Sequence, residues 1–250
     1  GPIINAARGL AIQVQTAVFK FSSNFYVAVQ PQITKSYASD NVDESHDLVL
    51  RSSRFAFLLL TALIVPLITE TDFILQLWLK EVPAHTTAFV QIILLCTLID
   101  SLSTPLIYLM LSTGNIKRYQ IVVGLFNFIN FPVAWIILYC GGSPELAQLS
   151  IIFFSLGALI FRISMLRPLT HFPVRDFMVS TVSRCLFIVT ICFIVSFTIS
   201  QNMDNGLSRF ILNFSVTELT LGILLLTIGL NTGEKKFIFE KVNAFINKQS

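Results

Sequence analysis

An all-α membrane protein with about seven transmembrane helices is the fold class that this 250-residue sequence predicts. Hydrophobic residues make up 54% of the chain and charged residues only 12%, about half the charged share usual in soluble proteins. So few charges cannot cover the surface of a soluble domain of this size. The apolar residues also form long continuous stretches, as a chain that crosses a bilayer requires.

Seven apolar stretches are long enough for helices, since crossing a hydrocarbon core of roughly 30 Å takes about 20 residues. Helices are expected because backbone groups in lipid must be paired and no alternating barrel pattern occurs. Short loops that are polar or marked by proline and glycine separate the stretches. They cover approximately residues 4–30, 54–76, 86–111, 119–140, 146–166, 177–200 and 208–230.

The distribution of lysine and arginine predicts the orientation of the chain. On one side of the predicted membrane lie most of the 17 cations, in the loops 35–54, 112–118 and 162–176, in the tail from residue 231, and at Arg184 early in the sixth stretch. The opposite loops hold only Lys80 and Arg209. By the positive-inside rule, the first side is cytoplasmic. Seven spans then place the N-terminus of the chain outside and its C-terminus in the cytoplasm.

The sequences at the two ends of the chain lead to two further predictions, one for the C-terminal tail and one for the start of the chain. Residues 231–250 are predicted to form a basic amphipathic helix on the cytoplasmic membrane surface, with a plain solvated tail as the alternative. The chain begins with Gly1 and Pro2, and no signal-peptide pattern precedes the first stretch. We therefore expect a fragment that starts within a longer protein, although Gly-Pro is also a possible protease-cleavage scar.

The first stretch differs from the others because its polar side chains gather on one side. At 100° per residue they fall within about 200° of arc, and they are Asn5, Arg8, Gln13, Gln15, Thr16, Lys20, Ser22, Ser23, Asn24 and Gln30. Lipid does not suit such a face, because an ionised residue in the middle of the membrane is costly. Three explanations stay open: the face lines a water-filled cavity, packs against polar partners, or belongs to a segment lying flat in the interface.

Arg8 and Lys20 are the charged binding candidates on this face. They are twelve residues apart in the sequence, or ~18 Å along a helix. Fixed cations in a wet cleft attract anions, and arginine binds phosphate oxygens with two parallel hydrogen bonds. The two cations therefore indicate an anionic passenger, or a polar one with an anionic group. The alternative for Arg8 is to extend to the lipid headgroups at the outer surface.

Asp100 and Glu218 are the acids predicted inside the third and seventh stretches. A buried carboxylate is usually paired or protonated. Coupling to protons or sodium is one interpretation, and a hydrogen bond or salt bridge between helices is the other. The absence of a second carboxylate at i+3 or i+4 favours the structural interpretation.

Enzyme and metal motifs do not occur in the sequence. It has no nucleophile elbow, glycine-rich phosphate loop, HExxH motif or paired-acid site. The four cysteines have no CxxC spacing and the three histidines stand singly, so neither a metal nor another cofactor is expected. We expect no enzyme activity, and without a nucleotide-binding domain this chain cannot by itself drive transport with ATP.

Four stretches resemble the second half of bacterial polysaccharide flippases. They read GPIINAARGLAIQVQ at 1–15, VQPQITKSYASDN at 29–41, LWLKEVPAHTTAF at 77–89 and STGNIKRYQIVVG at 112–124. The resemblance covers about residues 1–145 and continues beyond them only in hydropathy and in the number of spans. The superfamily of these flippases also includes multidrug-and-toxin exporters and the lipid II flippase.

The resemblance implies a two-lobed helical transporter in the bacterial cytoplasmic membrane, with a central cavity that alternates its access. Its passenger would be a lipid-linked oligosaccharide, such as O-antigen, carried on polyprenyl pyrophosphate. Arg8 would contact the phosphate, and Asn5, Gln15 and Asn24 would contact sugar or water.

The same resemblance implies how the chain is divided. Residues 1–166 would form five helices of the second lobe and residues 177–230 two additional C-terminal helices. The first lobe would lie in a missing N-terminal part of the same protein, and lipid-linked oligosaccharide and membrane lipids would be the other partners, with no nucleic acid.

Two other functions stay open. A multidrug exporter of the same superfamily would need a cavity richer in acids and aromatic residues to bind cationic drugs, whereas the first stretch is basic. A membrane scaffold subunit that transports nothing is the alternative from another class.

Overall fold

The computed structural model describes residues 1–231 and 233–235, and within them every regular element is helical. The helices are α1 (Pro2–Ala38), α2 (Val42–Thr69), α3 (Thr71–Trp78), α4 (Thr86–Ser112), α5 (Ile116–Tyr139), α6 (Pro144–Thr170), α7 (Val174–Asn202) and α8 (Leu207–Gly229). Six of those described, α2 and α4 to α8, are long and apolar enough to cross a membrane. The predicted class, an all-α membrane bundle of about seven spans, is confirmed.

The seventh long helix, α1, lies beside α4 and runs parallel to it. Gln15 Nε2 donates a hydrogen bond to Thr97 Oγ1 at 3.2 Å, and Ser112 Oγ donates to Thr34 Oγ1 at 3.1 Å. The contacts follow the same order along both helices, so α1 shares the depth of a helix that can cross the membrane. This packing is at odds with an α1 that lies flat in the interface.

The long helices of the described part alternate in direction. α2 is antiparallel to α4, since Ser53 bonds to the carbonyl of Leu102 and Gln91 to that of Ile68. α5 is antiparallel to α6, since Asn130 pairs with Ser150 and Tyr119 with Arg162. α7 is antiparallel to α8, since Ser196 pairs with Asn213 and the carbonyl of Ser200 with Arg209. All the connections therefore lie at two ends of one bundle.

One of these ends is rich in cations, and we call it the basic end. It holds the connections 39–41, 113–115 and 171–173 and the chain that follows α8. The cations in the half of the bundle nearer to it are Lys35, Arg51, Arg54, Lys117, Arg118, Arg162, Arg167, Arg175, Arg184 and Lys235. The opposite half holds Arg8, Lys80 and Arg209 among the described residues. The side assigned to each loop from the sequence therefore corresponds to one physical end of the bundle.

The second predicted stretch, 54–76, differs most from the structure. α2 begins at Val42 and ends at Thr69, and the short α3 follows as a separate helix. Arg54, expected in a loop, consequently lies inside α2 and is buried. Asp43 and Glu44 lie in the first turn of α2, where negative charge stabilises the helix N-terminus. A helix continues through polar sequence where its backbone bonds and its end charges are satisfied, so hydropathy alone marks its start too late.

The core of the bundle lies between α2 and α4, with α1 packed against both. α5 lies at the periphery, since Tyr119 is its one buried residue. Large aromatic side chains such as Phe131, Trp135 and Phe153 are exposed on α5 and α6. Exposed apolar surface on this scale suits contact with lipid rather than with water. Most of the predicted amphipathic tail, 231–250, lies outside the described residues.

Candidate functional site

The polar face predicted for the first stretch lies on the outside of the bundle. Ala7 and Ala11 of α1 are buried on the opposite side, which faces α2 and α4. Ser22, at one edge of the predicted polar arc, is buried with them. The exposed residues of the polar face are Asn5, Arg8, Gln13, Thr16, Lys20, Asn24 and Gln30. Small buried residues let helices approach closely, so α1 is held by its small side chains and leaves most of its polar side chains uncovered.

Four of the five residues predicted to line a cavity share this exposed face. Within residues 1–231 and 233–235, the side chains of Asn5, Arg8, Lys20 and Asn24 form no hydrogen bond, and neither cation forms an ion pair. Arg8 and Lys20 are ~18 Å apart along the helix. The face thus presents positive charge at two depths, flanked by the free side-chain amides of Asn5 and Asn24.

Gln15 is the member that the structure separates from the rest. Its side chain is half-buried and donates to Thr97 Oγ1 of α4. The Thr97 hydroxyl in turn donates to the carbonyl of Ile93 at 2.8 Å. Gln15 therefore joins α1 to α4 at the edge of the polar face.

The polar face is also more mixed than its polar residues alone suggest. Ile12, Phe19 and Val27 are exposed on the same side of α1. A surface that alternates hydroxyl, amide and cationic groups with apolar ones suits a ligand with both polar and apolar parts, or another polar helix.

Asp100 lies at the contact of α4 with α6. Ser155 Oγ donates to Asp100 Oδ1 at 2.5 Å, and Cys96 Sγ lies 3.6 Å from Oδ2. In the described part of the chain it forms no ion pair. Asp100 therefore accepts a hydrogen bond between helices, which is one of the two interpretations open from the sequence.

Glu218 occupies different surroundings, so the structure does not bring the two acids together. It lines a groove of about 400 Å³ with Phe25, Phe55 and Leu58, between α1, α2 and α8. Its Oε1 is buried and has no hydrogen-bond partner among the described residues. Burying a carboxyl oxygen in apolar surroundings without a hydrogen-bond partner costs free energy. The contacts of the described residues therefore account for the position of Asp100 but not for that of Glu218.

A buried polar network at the end opposite the basic end was not predicted. Arg209 Nη2 donates to Glu70 Oε2 at 2.7 Å, and Asn213 Nδ2 donates to Glu70 Oε1 at 2.7 Å. Ser196 Oγ of α7 donates to Asn213 Oδ1 at 2.8 Å. The network joins α2, α7 and α8. The sequence does contain a signal for this network. Glu70 is a lone acid near the end of one apolar stretch, and Arg209 lies at the start of another, near the same predicted membrane surface.

A second feature that the sequence did not predict is a lateral groove of about 740 Å³ between α2, α4 and α7. Phe57, Leu98, Leu186 and Phe193 line it, and polar residues such as Gln91 lie near one end. Its walls suit a hydrocarbon chain with a polar group at one end.

The helical fold, the six long apolar helices and their alternating directions define a multi-pass membrane protein. Comparisons of this chain with protein-family models, with curated proteins and with solved structures find no match.

Proposed function

We propose that this chain forms part of a two-lobed transporter that carries a lipid-linked oligosaccharide across the bacterial cytoplasmic membrane. The observation that supports this proposal is the exposed polar face of α1, on a helix that lies at the depth of α4. Free cations and amides at that depth require water or a polar partner, since contact with lipid alone would be costly. A hydrated cavity between two lobes provides water and also a polar partner.

In this proposal the polar face forms one wall of the cavity, and the other lobe forms the facing wall. Arg8 binds pyrophosphate oxygens through two parallel hydrogen bonds, and Lys20 supplies a second positive charge further along the path. Asn5 and Asn24 bind sugar hydroxyls, with Gln15 at the edge. The hydrocarbon of the carrier stays in the bilayer, for which the groove between α2, α4 and α7 offers an apolar surface.

The proposed orientation follows from the basic end. Cytoplasmic segments carry an excess of lysine and arginine, so we place the basic end in the cytoplasm and the N-terminus of the chain outside. Arg8 then lies in the outer half of the membrane and Lys20 near its middle. Asp100 and Glu218 are candidates for coupling transport to a proton or sodium gradient.

Cysteine accessibility tests the cavity directly. In a variant without native cysteines, single cysteines replace Asn5, Thr16 and Asn24 on the polar face, and a membrane-impermeant maleimide is added from the water. The proposal expects these positions to react. Phe128 and Phe131 are matched controls, because they are also exposed in the bundle but lie on the apolar surface of α5. Equal and low labelling at both groups would favour a packed scaffold over a cavity.

Arg8→Ala in the protein with both lobes tests the passenger. Because Arg8 is proposed to bind the pyrophosphate, the variant should restore little surface polysaccharide in a complementation assay. Lys80→Ala is the control, since it removes an exposed cation near the same end of the bundle. Normal surface polysaccharide with Arg8→Ala would remove the proposed role of this residue, and resistance to cationic drugs dependent on this protein would instead support an exporter.

A further inference from the structure

Several cations meet at the basic end, where α2, α7 and the chain after α8 come together. Glu234 accepts a hydrogen bond of 2.5 Å from Arg54 Nη2, and its Oε1 lies 3.8 Å from Arg51 Nε. One carboxylate therefore serves both arginines of α2. Arg184 of α7 and Lys235 after α8 add two further positive charges to the same region.

Arg184 and Lys235 have neutral partners only. Arg184 Nη1 donates to Asn231 Oδ1 at 2.7 Å, and Lys235 Nζ donates to the carbonyl of Thr227 at 3.2 Å. Neither forms an ion pair with any residue in 1–231 or 233–235. The two charges are thus held in place by hydrogen bonds, and no acidic side chain of the described residues forms an ion pair with either of them.

The same two side chains line one pocket of about 500 Å³. Thr227, Leu230 and Asn231 complete most of its wall. α8 ends at Gly229, and the sequence changes there from apolar to polar. The pocket therefore lies where the bundle leaves its apolar zone, which is the level of lipid headgroups in a bilayer.

We propose that Arg184 and Lys235 bind a phosphate group, supplied by the headgroup of an anionic phospholipid. Basic pockets between transmembrane helices recognise such headgroups, and arginine matches the geometry of phosphate oxygens. Leu230 also lines the largely apolar groove between α1, α2 and α8 that contains Phe55, Leu58 and Glu218. An acyl chain has an apolar surface available next to the pocket. No step of the proposed transport depends on this site.

Lipid binding to the purified 250-residue chain in a neutral detergent tests the site. We expect phosphatidylglycerol to bind and phosphatidylcholine, which has no net charge, to bind much more weakly. Arg184→Gln with Lys235→Gln should weaken phosphatidylglycerol binding roughly 30-fold, given the usual contribution of each cation near a lipid surface. Native mass spectrometry, which counts bound lipids, provides the measurement.

A matched control removes the same two residue types from the same end. Lys117→Gln with Arg118→Gln changes exposed residues at the start of α5 that do not line the pocket. This variant should bind phosphatidylglycerol like the unchanged chain. Equal losses in both double variants would overturn the site, because they would show attraction to net charge alone.

Two further measurements distinguish loss of the site from misfolding of a variant, and a lipid headgroup from a soluble phosphate compound. Lys235→Gln alone changes a residue beyond the last helix and should weaken binding about fivefold, while Arg184→Lys should retain most of the affinity. No loss with Lys235→Gln in a folded chain would overturn the proposal. Inorganic phosphate should not displace the lipid at comparable concentration, and displacement would show that the pocket takes a soluble phosphate compound instead.

Discussion

Arg8 and Arg209 lie near the same end of the bundle but in opposite surroundings. Arg209 is only 7% exposed and donates to Glu70 and to the carbonyls of Ser200 and Met203. Arg8 is exposed and has no partner in the described part of the chain. A buried charge persists only where pairing satisfies it, whereas an uncovered charge is available to a ligand. The comparison distinguishes an arginine that builds the fold from one that we propose serves function.

The largest expected effect comes from breaking the buried pair. Arg209→Ala leaves the Glu70 carboxylate without its charge partner, which costs about 3–5 kcal/mol for a buried ion pair. The free energy of unfolding, measured by titrating dodecyl sulfate into mixed micelles, should fall by that order. Arg8→Ala is the control and should leave the unfolding free energy unchanged. Comparable destabilisation by both variants would remove the distinction between the two arginines.

A smaller effect is expected from enlarging a side chain on the packed side of α1. Ala11 is completely buried, whereas Ala17 is exposed on the same helix. Ala11→Leu should cost about 1–3 kcal/mol, because a larger side chain in a well-packed contact forces the helices apart. Ala17→Leu should be close to neutral in the same unfolding assay. A neutral Ala11→Leu would contradict the packing of α1 that leaves its polar face outward.

The smallest effect is expected at Gln15, which is half-buried and therefore lies between the buried, paired Arg209 and the exposed, unpaired Arg8. Gln15→Leu removes the hydrogen bond to Thr97, and such bonds between membrane helices average about 0.6 kcal/mol. Gln13→Leu, at an exposed position without a side-chain partner, is the matched control for stability. If Gln15→Leu were neutral for stability yet impaired transport of the two-lobed protein, Gln15 would belong with Arg8 as a functional residue.

Hydropathy predicted several helices closely and others only in part. The third stretch, 86–111, agrees with α4, because both of its ends are marked by a change from apolar to polar sequence. The start of α2 was missed because its first turns are polar, and Arg54 was assigned to a loop for the same reason. Its partner Glu234 is 180 residues away in the sequence, and hydropathy scores each residue without regard to such a partner.

The candidate site was predicted in outline by the helical periodicity of α1. Periodicity placed Arg8 and Lys20 on a polar side, and the structure leaves that side exposed. It could not separate Gln15 from Asn24, because both lie within the polar arc and only the position of α4 decides which one is covered. The Glu70 network and the pocket at Arg184 were not predicted, since each combines residues from segments far apart in the sequence.

The helical, membrane-crossing character of the chain can be recognised in its residues alone, because the length and apolarity of a span are properties of one continuous segment. The polarity of one side of the first helix can be recognised in the same way, since helical periodicity is local. Only the tertiary structure decided which polar groups are paired and which are free. Arg54, Arg209 and Arg8 are all arginines near polar sequence. A distant segment packs against Arg54 and another against Arg209, whereas Arg8 stays uncovered, and local sequence does not reveal such contacts between distant segments.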